Sequence, residues 1–318
     1  MSIKNVTCFG AGLIGCGWAT NFVLSGINTI IYDVEKEKVD KAFENIKYNL
    51  KFLYDNDVID DIKFKSCIDK LIMTTDIKKA VANADFIQEN GPESYEIKQV
   101  IIENIEKYCK PTAIIASSTS GLLITEIAKF AKFPQRIIGA HPYNPPHLIP
   151  LVELTKGDKT DSYYIDKACS FYKQIHKEPV VLKKEALGFI SNRLSLALYR
   201  EAVDLVENGV CSFEEIDKAC CFGPGLRYAL IGPNLIYQLG GANSGIKGIL
   251  THIGSTVEKW WEDMASWTKW PDGFADRVQA GVNEEMKNRK DEHGKTNEEI
   301  ALFRDKGLIM LLKYHGKL

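Results

Sequence analysis

The sequence predicts a doubly wound α/β domain followed by an all-α domain, and three observations carry that reading. A short apolar run passes directly into a glycine-rich turn that opens a helix. Strand-like runs then alternate with helical stretches as far as about residue 183. From Leu187 onward the pattern is almost entirely helical.

Residues 3–9 form an apolar strand ending at Gly10. Residues 13–25 read as a helix closed by Gly26, and 28–32 as a second, β-branched strand followed by Asp33. The stretch 35–70 fits one or two helices. Strand-like runs return at 71–75, 86–89, 114–117 and 137–140, with helical patterns between them. Such alternation implies βαβ units and a parallel sheet covered on both faces. Beyond it, Ile190, Leu194, Ala197, Leu198, Ala202, Leu205 and Val206 share one stripe of a long helix, which Asn208-Gly209 stops. The expected domains are therefore 1–185 and 186–318, and the charge-rich C-terminal stretch suits a final helix.

Composition bounds the function. At 318 residues the chain exceeds what one hydrophobic core usually serves. Lys and Arg number 40 against 42 Asp and Glu, so no global field attracts nucleic acid or an anionic membrane. No apolar run approaches ~18 residues, so no membrane span is expected. The first residues show no signal-peptide pattern, and a cytoplasmic location is expected. Eight cysteines show neither CxxC spacing nor interleaved histidines, which points to reduced, mostly buried thiols and no metal site.

Gly10-Ala11-Gly12-Leu13-Ile14-Gly15 is the strongest motif, because strand, helix and a following acid are all in place. Gly10 makes the tight turn, Gly12 lets the backbone approach a pyrophosphate, and Gly15 lets helix and strand pack closely. The helix start at Leu13 and Ile14 offers N–H groups and a positive dipole to phosphate. Asp33 lies where a carboxylate accepts from the adenosine ribose hydroxyls and repels a 2′-phosphate. The domain reads as Rossmann-type, with NAD as cofactor.

His141 ends a strand and begins the proline-rich loop Pro142-Tyr143-Asn144-Pro145-Pro146. Glu153, twelve residues later in Leu151-Val152-Glu153-Leu154, is a carboxylate among aliphatic residues and needs a partner. His141 reaches it if the chain doubles back. A carboxylate that holds one imidazole tautomer makes a general base, and the reaction it suits is removal of a hydroxyl proton. Ser120, just past a strand, and Asn192, in the first turn of the long helix, are candidates to bind that hydroxyl. Each also suits ordinary turn or cap chemistry.

Together these residues resemble the L-3-hydroxyacyl-CoA dehydrogenase superfamily over nearly the whole chain. The likeness leans to the branch with lambda-crystallin (an L-gulonate 3-dehydrogenase) and L-carnitine dehydrogenase. The matching stretches are 10–18, 117–122, 140–146, 151–153, 184–193 and 223–233. The resemblance implies a His141–Glu153 dyad, substrate-polarising Ser120 and Asn192, and Asn144 near the nicotinamide. It also implies cofactor contacts from Glu93 and Lys98, which alone read as a helix-start charge pair. It further implies a homodimer through the helical domain, with substrate in the cleft between domains.

One stretch departs from the acyl-CoA enzymes. Gly223-Pro224-Gly225-Leu226-Arg227 carries an arginine, whose planar fork suits the carboxylate of a free 3-hydroxy acid. A salt bridge within the protein is the competing reading. Trp260, Trp261, Trp267 and Trp270 read either as packing or as a cage for a quaternary ammonium. Three functions follow as alternatives: a free 3-hydroxy acid dehydrogenase, a short 3-hydroxyacyl-CoA dehydrogenase, and a crystallin-like non-catalytic protein. The complete Ser120, His141, Glu153 and Asn192 set favours an enzyme over the third.

Overall fold

The computed structural model describes residues 3–318. The chain packs as two compact units. One runs up to Arg193 and includes Leu308–Leu318; the other is Leu194–Gly307.

The first unit opens with β1 (Asn5–Phe9), α1 (Leu13–Leu24) and β2 (Asn28–Tyr32). Then come α2 (Lys36–Asp55), α3 (Asp61–Asp69), β3 (Leu71–Thr74), α4 (Ile77–Val81) and β4 (Phe86–Glu89). It continues with α5 (Tyr95–Glu106), β5 (Ile114–Ser117), α6 (Ile124–Ile127) and β6 (Ile137–Pro142). Finally come β7 (Leu151–Lys156), α7 (Ser162–Gln174) and β8 (Glu178–Val181). The eight strands form one sheet in the order β3-β2-β1-β4-β5-β6-β7-β8. All neighbours are parallel except β6 and β7, which run antiparallel.

Alternating side chains feed two cores, as a sheet covered on both faces requires. Phe86, Ile114, Ala116, Ile138 and Ala140 pack on one face against residues of α1 and α7, including Trp18, Phe22, Phe171 and Tyr172. Ile87, Ile115 and Ile137 pack on the other against Ile102 and Ile105 of α5 and Ile124 and Ile127 of α6. The order reverses direction between β1 and β4, and that switch point is where open α/β sheets bind ligands beyond their carboxyl ends.

The boundary expected at 185/186 falls in the loop between β8 and α8 (Ser191–Glu207). The second unit continues with α9 (Phe213–Phe222), α10 (Pro224–Tyr228), α11 (Pro233–Gly240), α12 (Gly245–Asp263) and α13 (Phe274–Asn288). It takes the first part of α14 (Asn297–Tyr314), whose end returns Ile309 and Leu312 to a cluster with Leu53 and Leu148 of the first unit.

One pattern is only partly covered and one expectation needs correction. Along the apolar stripe of α8, Leu194 is 63% exposed and Leu198 55%, whereas Ala202, Leu205 and Val206 are half-buried, and Val203 is the buried residue of that helix. The periodicity is real, but the described residues leave the first turns of the stripe uncovered. The cysteines are all free, yet only Cys8, Cys16 and Cys67 are buried, and Cys221 is exposed. Those three lie on the sheet or the helices covering it, whereas Cys220 and Cys221 end α9, which has no buried residue.

Candidate active site

The loop after β1 is built as a dinucleotide cradle. Gly10 has φ +108°, which glycine adopts readily, and a Cβ there would lie 2.8 Å from the Asn90 carbonyl oxygen. A Cβ on Gly15 would lie 2.0 Å from the Gly10 carbonyl oxygen, so helix and turn touch through backbone alone. A Cβ on Gly12 would meet nothing within 4 Å, which leaves that surface open. No side chain caps the N-terminus of α1, so its first-turn N–H groups remain available to an anion. Leu13 in that turn is exposed, and Ile14 packs partly against the core. Asp33, beyond β2, accepts from the Ala11 N–H at 3.0 Å, which turns its carboxylate toward the glycine loop. These features fit a dinucleotide whose phosphates meet α1 and whose ribose meets Asp33.

The same sheet edge carries a buried ion pair that sequence reading missed. Lys98 on α5 is 1% exposed and donates to both oxygens of Glu89, at 3.1 and 2.9 Å, and to the Gly91 carbonyl. Glu93, the partner expected for Lys98, lies 3.8 Å from it. Glu93 instead accepts from the Thr119 hydroxyl and the Ser120 N–H, each at 2.7 Å. Glu89 ends a strand that reads as ordinary apolar core, and a partner nine residues away has no periodic signature.

His141 and Glu153 are directly opposed in the β6–β7 ladder, and His141 Nδ1 lies 2.9 Å from Glu153 Oε2. The turn to antiparallel pairing brings the strands together here, because a two-residue alternation then points both side chains to one face. Both are buried, at 6% and 1% exposure. Glu153 Oε1 accepts from the N–H groups of Ile190 and Ser191, each at 2.9 Å, and Oε2 accepts from the Ser191 hydroxyl. Burial pushes the Glu153 carboxyl up, but hydrogen bonds from His141, Ser191 and Ile190 outweigh it and hold its pKa below the usual value. A carboxylate accepts only, so Nδ1 carries the proton and Nε2 keeps its lone pair. The imidazole is packed by Phe189, ring centres 5.8 Å apart, and by Tyr143 at 6.4 Å.

The remaining candidates are placed unevenly. The Asn192 amide donates to the Ser120 carbonyl oxygen at 2.7 Å, so these two meet through backbone rather than around a shared guest. Asn144 is exposed in the loop after His141. Arg227 sits on α10, exposed, and pairs with no carboxylate among the described residues. Trp267 and Trp270 join Tyr199 and Phe274 in a self-packed cluster, with Trp270 stacked on Phe274 at 5.0 Å. The Trp267 N–H donates to Asp204. Trp260 and Trp261 stay exposed on α12 and, among the described residues, join no such ring pair. The clustered rings turn faces and edges to one another, while Trp270 keeps 54% of its surface exposed.

Comparison with known proteins identifies the class and then the family. Residues 5–186 match the NAD-binding domain of 3-hydroxyacyl-CoA dehydrogenase, and 188–285 its C-terminal domain. The chain is an NAD-dependent dehydrogenase. An L-carnitine dehydrogenase of Oceanobacillus iheyensis is 33% identical over 98% of this chain and 97% of that one. A 3-hydroxyacyl-CoA dehydrogenase of Gibberella moniliformis is 36% identical over 89% of this chain and 88% of the relative. Among solved structures, an NAD-dependent dismutase, 5-formyl-3-hydroxy-2-methylpyridine 4-carboxylic acid 5-dehydrogenase, superposes with TM-score 0.81 at 28% identity. It spans 99% of this chain and 98% of its own. The protein belongs to the 3-hydroxyacyl-CoA dehydrogenase family.

Proposed function

We propose that this dehydrogenase oxidises the 3-hydroxyl of a small free L-3-hydroxy acid, of the L-carnitine or L-gulonate type, to the 3-oxo acid. The observation that carries the chemistry is the 2.9 Å contact between His141 Nδ1 and Glu153 Oε2 at the carboxyl end of β6. With Nδ1 protonated, His141 Nε2 accepts the hydroxyl proton as the C–O bond becomes C=O. Glu153 stays ionised and stabilises the imidazolium that forms. NAD supplies the hydride acceptor. Gly10, Gly12, Leu13, Ile14 and Gly15 would hold its phosphates and Asp33 its ribose, while Glu93, Ser120 and Asn144 would line the nicotinamide end, with Lys98, buried on Glu89, supporting Glu93 from behind. Ser120 and Asn192 orient the hydroxyl, Asn192 through the second N–H of its amide or its oxygen, since its bond to the Ser120 carbonyl uses one N–H only.

Arg227 supports a free acid, since an exposed guanidinium with no carboxylate partner among the described residues is ready for one from solution. L-carnitine is favoured by the names of several relatives at 31–37% identity. A short 3-hydroxyacyl-CoA is the second reading, favoured by the Gibberella relative. The proposed division of labour is nucleotide binding by 1–185, with substrate binding and dimerisation by 186–318. A homodimer is supported by the uncovered apolar side chains of α8, Leu194, Leu196 and Leu198. The assembly works in the cytoplasm.

The deciding assay is NADH formation at alkaline pH with L-carnitine, L-gulonate, L-3-hydroxybutyrate and L-3-hydroxybutyryl-CoA side by side. Turnover of a free acid that His141→Gln abolishes supports the proposal. Turnover of the thioester alone, or an Arg227→Ala enzyme with unchanged KM, removes the role of Arg227. Sedimentation at twice the 35.7 kDa chain mass is expected, and a monomer would exclude the dimer.

A further inference from the structure

Glu153 receives more donors than the orientation of one histidine requires. Its Oε1 is held by two backbone N–H groups, while Oε2 is shared between His141 Nδ1 and the Ser191 hydroxyl. The sharing is imposed by an unusual turn. Gly188 and Phe189 both have positive φ, +73° and +49°, and they swing the first N–H groups of α8 toward β7. Phe189 is 1% exposed and packs against the imidazole, so the strained turn and the histidine hold each other. The Ser191 hydroxyl, at the start of a helix, therefore serves a strand carboxylate.

We infer that Ser191 is a positioning residue that sets the basicity of His141 by competing with it for Glu153 Oε2. The inference rests on the base role proposed above for His141. A hydroxyl proton on Oε2 takes up part of the negative charge that draws on the imidazole N–H. Less charge on that side makes Nε2 a weaker base, so it is deprotonated and ready at lower pH. The two N–H bonds to Oε1 keep the carboxylate in place without the hydroxyl, so its removal changes charge more than position.

Several titratable groups on the elements around β6 and β7 have partners of their own, while Lys156 of β7 and Lys183 and Lys184 of the β8–α8 loop are exposed. Tyr143 lies edge-on to the imidazole. Glu126 of α6 faces Lys129, and Glu185 of the β8–α8 loop is taken by Thr125. Glu178 of β8 pairs with Lys317, and Arg193 of α8 reaches the Leu187 carbonyl. Among the described residues, the side-chain donor that Glu153 receives besides His141 is Ser191, which is thus placed to modulate their contact.

The test compares Ser191→Ala and Ser191→Thr with the wild-type chain. The His141 titration is followed by NMR on histidine-labelled protein, with the signal assigned by its loss in His141→Gln, and kcat/KM is followed against pH. In Ser191→Ala the His141 midpoint and the acid limb should both rise by about half to one pH unit, on a scale where one unit is tenfold in the ratio of the two forms. Activity below the midpoint should then fall about three- to tenfold, while the alkaline plateau stays within about twofold. Ser191→Thr, which keeps the hydroxyl, should restore the wild-type midpoint. Should the Ala variant fail to fold, Ser191→Cys, a weaker donor, should move the midpoint in the same direction. An unchanged or lowered His141 midpoint overturns the inference. Failure of the base role itself reads differently: no acid is turned over, yet the NMR midpoint still reports whether Ser191 tunes the imidazole.

Discussion

Replacing Glu153 by Gln tests the dyad with the least change of shape. The wild-type carboxylate accepts from four donors while 1% exposed. Glutamine offers one oxygen and an NH2 group. If the oxygen keeps the Ile190 and Ser191 N–H bonds, the NH2 faces His141 and Nδ1 must accept rather than donate. The imidazole proton then sits on Nε2, where the substrate hydroxyl needs an acceptor. Loss of a correctly poised general base costs about 10²–10⁴ in rate, or roughly 3–5 kcal/mol of barrier. The fold should lose less, about 1–3 kcal/mol, because charge-assisted bonds become neutral ones while both backbone bonds survive.

The pair of assays is kcat/KM from NADH formation and urea unfolding, with NADH binding followed by fluorescence to show an intact nucleotide site. A folded Glu153→Gln enzyme that binds NADH and keeps more than about one-tenth of wild-type kcat/KM would refute the reasoning. The same carboxylate has a pH signature. Its folded pKa lies below the unfolded value, so its stabilisation is full above the unfolded pKa and is lost as pH falls through the folded one. Wild type should weaken on acidification below about pH 4, and Glu153→Gln should lack that part of the loss.

Three further outcomes follow from the first unit. Gly15→Ala places a Cβ 2.0 Å from the Gly10 carbonyl oxygen, with no flexible side chain to yield, and should weaken NADH binding about tenfold or more by fluorescence titration. Asp33→Ala removes the carboxylate that faces the glycine loop, so the NAD-to-NADP ratio of kcat/KM should fall about tenfold, and an unchanged ratio would remove Asp33 from cofactor choice. Lys177 donates to the carbonyls of Pro146 and Ile149, over the Trp18 ring, and burial lowers its pKa to about 7. The unfolded chain then holds one proton more between about pH 7 and 10, so wild-type stability should rise there relative to Lys177→Met, by at most about 1.4 kcal/mol per pH unit. Parallel stability–pH curves for the two would show that Lys177 does not titrate in that window.

The division between sequence and structure is visible in particular residues. Gly10, Gly12, Gly15 and Asp33 were legible because a dinucleotide cradle needs glycine at fixed spacing and an acid after the next strand, all within one local βαβ unit. His141 and Glu153 were legible as chemistry: a histidine at a strand end and a lone carboxylate in an apolar run each ask for a partner. Glu89 was not, since its pairing with Lys98 spans strand and helix, and no period records it. Ser191 was equally silent, because a serine at a helix start reads as a cap until the fold sets β7 beside it. The α8 stripe shows the opposite failure: helical periodicity reports that a face is apolar, not what covers it. The sequence by itself determined the domain classes, the NAD cradle and the identity of the His–Glu pair, because those depend on contacts close along the chain. Only the tertiary structure decided the antiparallel turn that opposes the pair, the four donors that hold Glu153 and the Glu89–Lys98 bond. Each of those requires segments distant in sequence to meet, and that is settled by packing rather than by local pattern.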